Sequence, residues 1–300
     1  MTQPALLGGI EAGGTKTICL IGTGPDDIRA QIQMPTRTAD ETIPDIVAFF
    51  RERSAELGPV ARVGLASFGP IDRDPLSATW GHVLTTPKTG WAGTDFAGAV
   101  ARALDVPVTF DTDVNGAALA EGLWGAAQDV ADYAYLTVGT GIGGGIVANN
   151  QLVHGAMHPE LGHMAVPRDP ETDPFEGHCP FHGDCLEGLA SGPAIEARWG
   201  HPAYDLSADH PAWAMEAQYL SVLAANLILM LSTRRILFGG GVMARNSLFA
   251  ALRAQTKERL KGYLTVSPFD GDLTDVIMPP GLGKRAGPLG ALALAIKANA

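Results

Sequence analysis

The chain has 300 residues, 46% of them hydrophobic and 18% charged, enough to bury a sizeable core in one large domain or two of ordinary size. Its formal net charge of -11 and pI of about 5.1 argue against nucleic acid or an anionic membrane as the main partner. Three cysteines cannot form a disulfide framework, which points to a reducing, cytoplasmic compartment.

In chain order, "LLGGIEAGGTKTICLIGTG" reads as strand, tight glycine turn, strand, and "IRAQIQM" alternates as a third strand. No basic-then-apolar leader is expected ahead of them. "ADETIPDIVAFFRERSAEL" has helical spacing and acidic residues in its first turn. "RVGLASF" is a short apolar strand ending at the turn "GPID", and "VPVTFDTD" is another strand that passes into a helix over "VNGAALAEGLWGAA". The pattern then partly repeats: "YAYLTVGTGIGGGIVANNQ" is again strand, glycine turn, strand. A long helix ("WAMEAQYLSVLAANLILML"), a strand ("RRILFGG") and a helix ("ARNSLFAALRAQTKERL") follow. Its apolar part, "YLSVLAANLILMLS", is shorter than the roughly 20 residues of a membrane span and reads as a buried core helix. "VPRDPETDPFEGH" is the longest irregular stretch expected, and "AGPLGALALAIKANA" a closing helix. The alternation predicts an α/β chain with mixed sheets, and the two strand–turn–strand units suggest two related halves.

Three glycine-rich turns each follow a strand. "EAGGTK", Glu11 to Lys16, is either a simple hairpin turn or a cradle for phosphate oxygens, its glycines allowing positive φ and outward N–H groups. It lacks the spacing of a Walker A loop. "GTGIGG", Gly139 to Gly144, matches the dinucleotide fingerprint in letters, but a strand follows where that fingerprint needs a helix. "FGGGVMAR" reads as strand, three glycines, helix, which would set a helix N-terminus beside a ligand. Together the three turns signal a nucleotide. Asp111 and Asp113 in "FDTDVNGAALAE" sit where strand gives way to helix. One is expected to cap the helix and the other to act as a general base, the carboxylate that phosphoryl transfer to an alcohol requires.

Cys179, His182 and Cys185 are spaced C-x-x-H-x-x-C, close enough to bring three ligands to one tetrahedral ion, against the alternative of surface histidines and a buried thiol. On spacing alone, His154, His158, His163 and His178 compete for the fourth position.

"GGIEAGGTK", "FDTDVNGAALAE", "VGTGIGGG", "HPELGH", "CPFHGDCLEGLASGPA" and "FGGGV" occur in that order, and together they resemble the ROK family of sugar kinases, most of all its bacterial fructokinase branch. The resemblance implies an actin-like ATPase (ribonuclease H-like) fold: two lobes, each with a mixed β-sheet, and a cleft between them. The lobes would be 1–114, with the closing helix 287–300 packed back on it, and 115–286, with a zinc-binding loop near 163–185. It implies an ATP- and Mg²⁺-dependent hexose kinase with Asp113 as base. Gly13, Gly14, Thr15 and Lys16 would meet the phosphates from one lobe and Gly139, Thr140 and Gly141 from the other, with Gly239, Gly240 and Gly241 near the adenosine. Gly69, Glu160, His163 and Glu187 match sugar-contacting positions. The resemblance selects His163 as fourth zinc ligand. Two Cys and two His fill a Zn²⁺ shell and leave no open position, so the ion would be structural. Glu11 stands where many members have a magnesium-binding Asp, and Thr112 where glucokinase-type members have Asn; both fit the fructokinase branch. The expected reaction is D-fructose to D-fructose 6-phosphate, with glucose, mannose or an N-acetylhexosamine as alternative substrates. A sugar-responsive repressor is the rival class, but the first strand begins by Leu6 and the chain is acidic, which leaves no expected DNA-binding arm. A binding-only relative is disfavoured by Asp113, Lys16 and both phosphate turns. A homodimer is expected from the family.

Overall fold

The computed structural model describes residues 4–297, which form two compact units: 4–128 with 152–158 and 281–297, and 129–151 with 159–280. In the first unit, strands β1 (Leu6–Ala12), β2 (Lys16–Gly24), β3 (Asp27–Pro35), β4 (Val60–Ser67) and β5 (Val108–Thr112) make a sheet in the order β3-β2-β1-β4-β5. The β1–β2–β3 meander is antiparallel, while β4 and β5 run parallel to β1. Parallel neighbours need crossovers, supplied by α1 (Ala39–Leu57) and α2 (Phe96–Leu104). Helix α1 begins where the sequence places it, because Glu41 reaches back to accept from the Thr38 N–H at 3.3 Å and closes a capping box. The stretch 68–95 carries no helix or strand and is longer than the irregular stretch expected further on. It is held by Trp91, fully buried, edge-on to Phe68 and Phe96, its indole N–H donating to the Arg37 carbonyl at 2.7 Å.

Helix α3 (Asp113–Trp124) and the closing helix α8 (Ala286–Lys297) pack on this sheet. A Cβ on Gly64 of β4 would lie 1.9 Å from the Ala291 carbonyl oxygen, and one on Gly290 would lie 2.4 Å from the Gly116 carbonyl carbon. Backbone therefore meets backbone where α8 crosses β4 and α3. This contact keeps α3 with the first unit, so the units divide after Gln128 and not after residue 114 as the sequence suggests. The final residues of the expected helix, 298–300, lie outside the described residues.

The second sheet consists of β6 (Tyr133–Val138), β7 (Ile142–Ala148), β8 (Gln151–Leu152), β9 (Arg235–Gly239) and β10 (Ile277–Met278) in the order β10-β9-β6-β7-β8 and belongs to the second unit except for Leu152. Its plan repeats the first sheet: an antiparallel hairpin, then two parallel strands beyond its first member. The helices are α4 (Leu186–Ala190), α5 (Gly192–Trp199), α6 (Ala212–Leu231) and α7 (Ser247–Leu260). At 20 residues, α6 outruns the apolar stretch read from the sequence and is long and apolar enough to cross a membrane. Yet 61% of its apolar window is buried inside the protein, as befits a core helix. The glycines after β9 do not open directly onto a helix: a single 3₁₀ turn, Val242–Ala244, intervenes, and α7 starts at Ser247.

Candidate active site and metal centre

In the first unit, the β1–β2 turn is tied from within. Gly13 N–H donates to the Lys16 carbonyl (2.9 Å), Thr36 Oγ1 donates to the Gly13 carbonyl (2.8 Å) and Thr36 N–H donates to the Thr15 carbonyl (3.0 Å). Gly14, Thr15 and Lys16 face solvent. Contrary to expectation, neither Gly13 nor Gly14 has positive φ. Around the place of a Gly14 Cβ nothing lies within 4 Å, so what glycine supplies there is uncovered backbone rather than a special conformation. Just before the turn, Glu11 has a buried Oε2 with no hydrogen-bond partner, and a Cβ on Gly287 would lie 2.5 Å from its Oε1. Burial raises the Glu11 pKa, and Lys16 partly offsets the shift. A buried carboxylate oxygen lacking a donor fits a hard cation or its water.

At the end of β5 neither aspartate caps α3. Thr112 does, its Oγ1 accepting from Asn115 N–H at 3.1 Å. A β-branched hydroxyl in extended backbone reaches N3 of the helix, which frees both carboxylates for other work. Asp113, half-buried, is the first helical residue, and its Oδ1 accepts from Val114 N–H at 2.9 Å. Asp111 is 3% exposed, and its oxygens accept from Thr112 N–H (2.8 Å), Asn115 Nδ2 (2.6 Å) and His154 Nε2 (2.9 Å). Burial favours its acid form, but these donors, His154 foremost, outweigh it and hold the Asp111 pKa below the ordinary value. Gly69 lies just past β4, on the loop whose Ile71 N–H donates to His158 Nε2 at 3.2 Å.

In the second unit, Gly139 N–H donates to the Gly141 carbonyl (2.9 Å), and the Gly139 carbonyl accepts from Gly192 N–H (2.7 Å) at the start of α5. A Cβ on Gly139 would lie 3.9 Å from Gly241 N, so the β6–β7 turn and the glycines after β9 adjoin. Gly240 has φ +93°, and a Cβ there would lie 2.3 Å from the Val138 carbonyl oxygen, so only glycine serves. Glu187 Oε2 accepts from Ile142 N–H at 2.8 Å, and a Cβ on Gly141 would lie 2.7 Å from the same oxygen. Gly162, in the 3₁₀ turn Leu161–His163, presses on β7: its Cβ would lie 1.9 Å from the Ile142 carbonyl oxygen. Glu160, His163 and Glu187 are thereby gathered along the start of β7. Desolvation, reinforced by the Glu187 charge, raises the Glu160 pKa to about 6.

His163, Cys179, His182 and Cys185 bring their ligand atoms within 4.8 Å of one another. His163 Nδ1 lies 3.7 Å from Cys179 Sγ and 3.6 Å from Cys185 Sγ, and His182 Nδ1 lies 3.7 Å from Cys179 Sγ. With Zn–S near 2.3 Å and Zn–N near 2.05 Å, a tetrahedral S···N edge is about 3.6 Å, so the donor set fits zinc. Cys179 and Gly183 exchange two backbone hydrogen bonds (3.2 and 3.0 Å), and Cys185 caps α4, so backbone contacts already place both cysteines. Burial, with Cys179 and Glu187 adding, pushes the Cys185 thiol up to about 11; a metal would have to displace its proton.

The sequence profile of the ROK family matches residues 7–298. The chain belongs to the ROK family. The fructokinase of Zymomonas mobilis is 42% identical to it over 98% of this chain and 97% of its own length. That of Pediococcus pentosaceus is 40% identical over 97% of each. The crystal structure of the ROK hexokinase from Thermus thermophilus matches with a TM-score of 0.79 and 25% identity, covering 98% of this chain and 99% of that one. The ROK fold is that of actin-like ATPases, and this chain has it, with a mixed sheet in each unit.

Within this ROK chain, Glu11, the Gly13–Lys16 turn, Gly69 and Asp113 fall in the first unit. Gly139, Thr140, Gly141, Glu160, His163, Cys179, His182, Cys185, Glu187 and Gly239 to Gly241 fall in the second. His178, a rival ligand on spacing, stands outside the donor cluster, and His154 and His158 belong to the first unit. Sequence reasoning missed the start of α5 beside Gly139, although "SGP" carries a signal: Ser191 is an N-cap with Pro at the second helical position. It also missed the partners of Asp111, which no local pattern announces.

Proposed function

We propose that the chain is an ATP- and Mg²⁺-dependent fructokinase that converts D-fructose and ATP to D-fructose 6-phosphate and ADP in the cytoplasm. The observation that carries this reading is 42% and 40% identity, over nearly the whole chain, to two proteins named fructokinase. Asp113 accepts the proton of the attacking sugar hydroxyl as the new O–P bond forms to the γ-phosphorus and the bond from that phosphorus to ADP breaks. Asp113 is the first residue of α3, its backbone set by the Thr112 cap. The turn that Gly13 opens binds phosphate oxygens through the exposed backbone of Gly14 and Thr15 and the Lys16 ammonium, the Gly139–Thr140–Gly141 turn binds them too, and Gly239 to Gly241 leave room for adenosine. Glu11, with its donor-free Oε2, would hold Mg²⁺, which would supply charge neutralisation on the phosphates. Gly69, Glu160, His163 and Glu187 orient the sugar.

A structural Zn²⁺ on His163, Cys179, His182 and Cys185 would fix the loop that carries His163 and Glu187. The exposed Leu229 and Met230 at the end of α6 are in keeping with a homodimer, which light scattering should show as twice the chain mass. The reading is tested by ADP release with fructose. Asp113→Asn should lower kcat by about 10²–10⁴-fold with little change in KM for fructose. Near-wild-type turnover by this variant contradicts the assignment of the base.

A further inference from the structure

The segment Leu152–His158 belongs to the first unit although the residues on either side of it, Gln151 and Pro159, belong to the second. Two histidines attach it, in opposite roles. Asp111 is an acceptor, so His154 must donate from Nε2 across their 2.9 Å contact. His158, 5% exposed, accepts the Ile71 N–H on Nε2 and so carries its own proton on Nδ1.

These bonds reach the two loops that bear Gly69 and Asp113. The Asp111 carboxylate collects hydrogen-bond donors from two stretches of chain and faces an ion-pair partner on a third. Thr112 N–H and Asn115 Nδ2 come from the β5–α3 turn, and His154 from the segment. Arg73 Nε, buried and otherwise unpartnered, lies 3.5 Å away on the loop after Gly69. Asn115 cannot be flipped to serve His154, because its oxygen would then lie 2.6 Å from Asp111 Oδ1. The second Asn115–His154 contact, at 3.2 Å, is therefore packing, and the polarity of the cluster is settled: every donor points at Asp111.

From this geometry we infer that His154 is a positioning residue for phosphoryl transfer: through Asp111 it fixes the turn that aims Asp113 and ties that turn to the loop of Gly69. The inference rests on Asp113 being the base. His154 touches no reacting atom. Its effect is to hold the turn Asp111 to Asp113 to the segment whose His158 holds the loop of Gly69.

Two substitutions test this. Gln places its amide N–H near the position of Nε2 and can still donate to Asp111, whereas Asn is too short to do so. The His154 side chain is 18% exposed, so both polar residues are tolerated there. H154N should lower kcat with fructose by about 10–100-fold at unchanged KM for ATP, the scale of a misplaced catalytic group. H154Q should stay within about threefold of wild type. Wild-type turnover by H154N overturns the inference, and so does equal slowing of both variants, which would trace the loss to packing and not to the hydrogen bond. Asp113→Asn, assayed beside them, keeps the two readings apart: if it remains active the base is wrong, whatever His154 does.

Discussion

Glu160 shows how one carboxyl sets a pH dependence. Burial and the nearby Glu187 charge favour its protonated form, so it is half ionised near pH 6 rather than near 4.5. In the proposed role of Glu160 as a sugar contact, the ionised form is the stronger acceptor for sugar hydroxyls. The expected result is that kcat/KM for fructose rises with pH through about 6. Glu160→Gln, which cannot titrate, should lose that limb and bind fructose about tenfold more weakly. A limb unchanged in E160Q would assign it elsewhere. Legibility at this scale was uneven. A carboxylate between strand and helix stood out, but Asp111 and Asp113 both sit there, and only the family resemblance singled out Asp113. Thr112 as cap did not stand out, because Asp, Asn, Ser and Thr all serve as caps and "DTD" offers three candidates in a row. Asp111 could not be understood from the sequence at all: its decisive donor lies 43 positions away.

Helices α3 and α8 explain why the unit boundary moved. Glycine in a helix normally costs about 1 kcal/mol relative to alanine, so Gly116 and Gly290 look like weaknesses in sequence. In the fold they let two backbones meet, and Gly290→Ala would force a methyl to 2.4 Å from the Gly116 carbonyl carbon. That substitution should destabilise the protein by about 1–3 kcal/mol in urea unfolding, reversing the usual gain of Gly→Ala. Equal or greater stability would contradict the packing described. Long elements with a clear period, such as α1 and the two hairpins, were legible because cap, period and turn agree. The short ones were not: α4, β8 and β10 span five, two and two residues, too few for a period to show. The ligand loop is an intermediate case. Its C-x-x-H-x-x-C spacing was visible, but the fourth ligand came only from family resemblance, since four histidines competed on spacing. Protein purified without added zinc should carry about one zinc per chain, and Cys179→Ser should lose it together with thermal stability. A zinc-free preparation of full stability and activity would remove the metal from the account.

Across the whole molecule, two sheets of one plan each present a hairpin turn and a strand end. In the first unit these are the Gly13–Lys16 turn and the end of β5; in the second, the Gly139–Gly141 turn and the glycines after β9. The repetition was legible because glycine-rich hairpins are rare enough for two to be noticed. In the proposed site a few side chains, Glu160, His163 and Glu187, would decide which hexose is phosphorylated, since a polar pocket discriminates hydroxyl patterns strongly. Substrate identity is therefore the property to measure. ADP release measured across fructose, glucose, mannose and N-acetylhexosamines, with ATP and Mg²⁺, should give its highest kcat/KM with fructose and yield fructose 6-phosphate. Faster turnover of another hexose, or no ADP release with fructose, would contradict it.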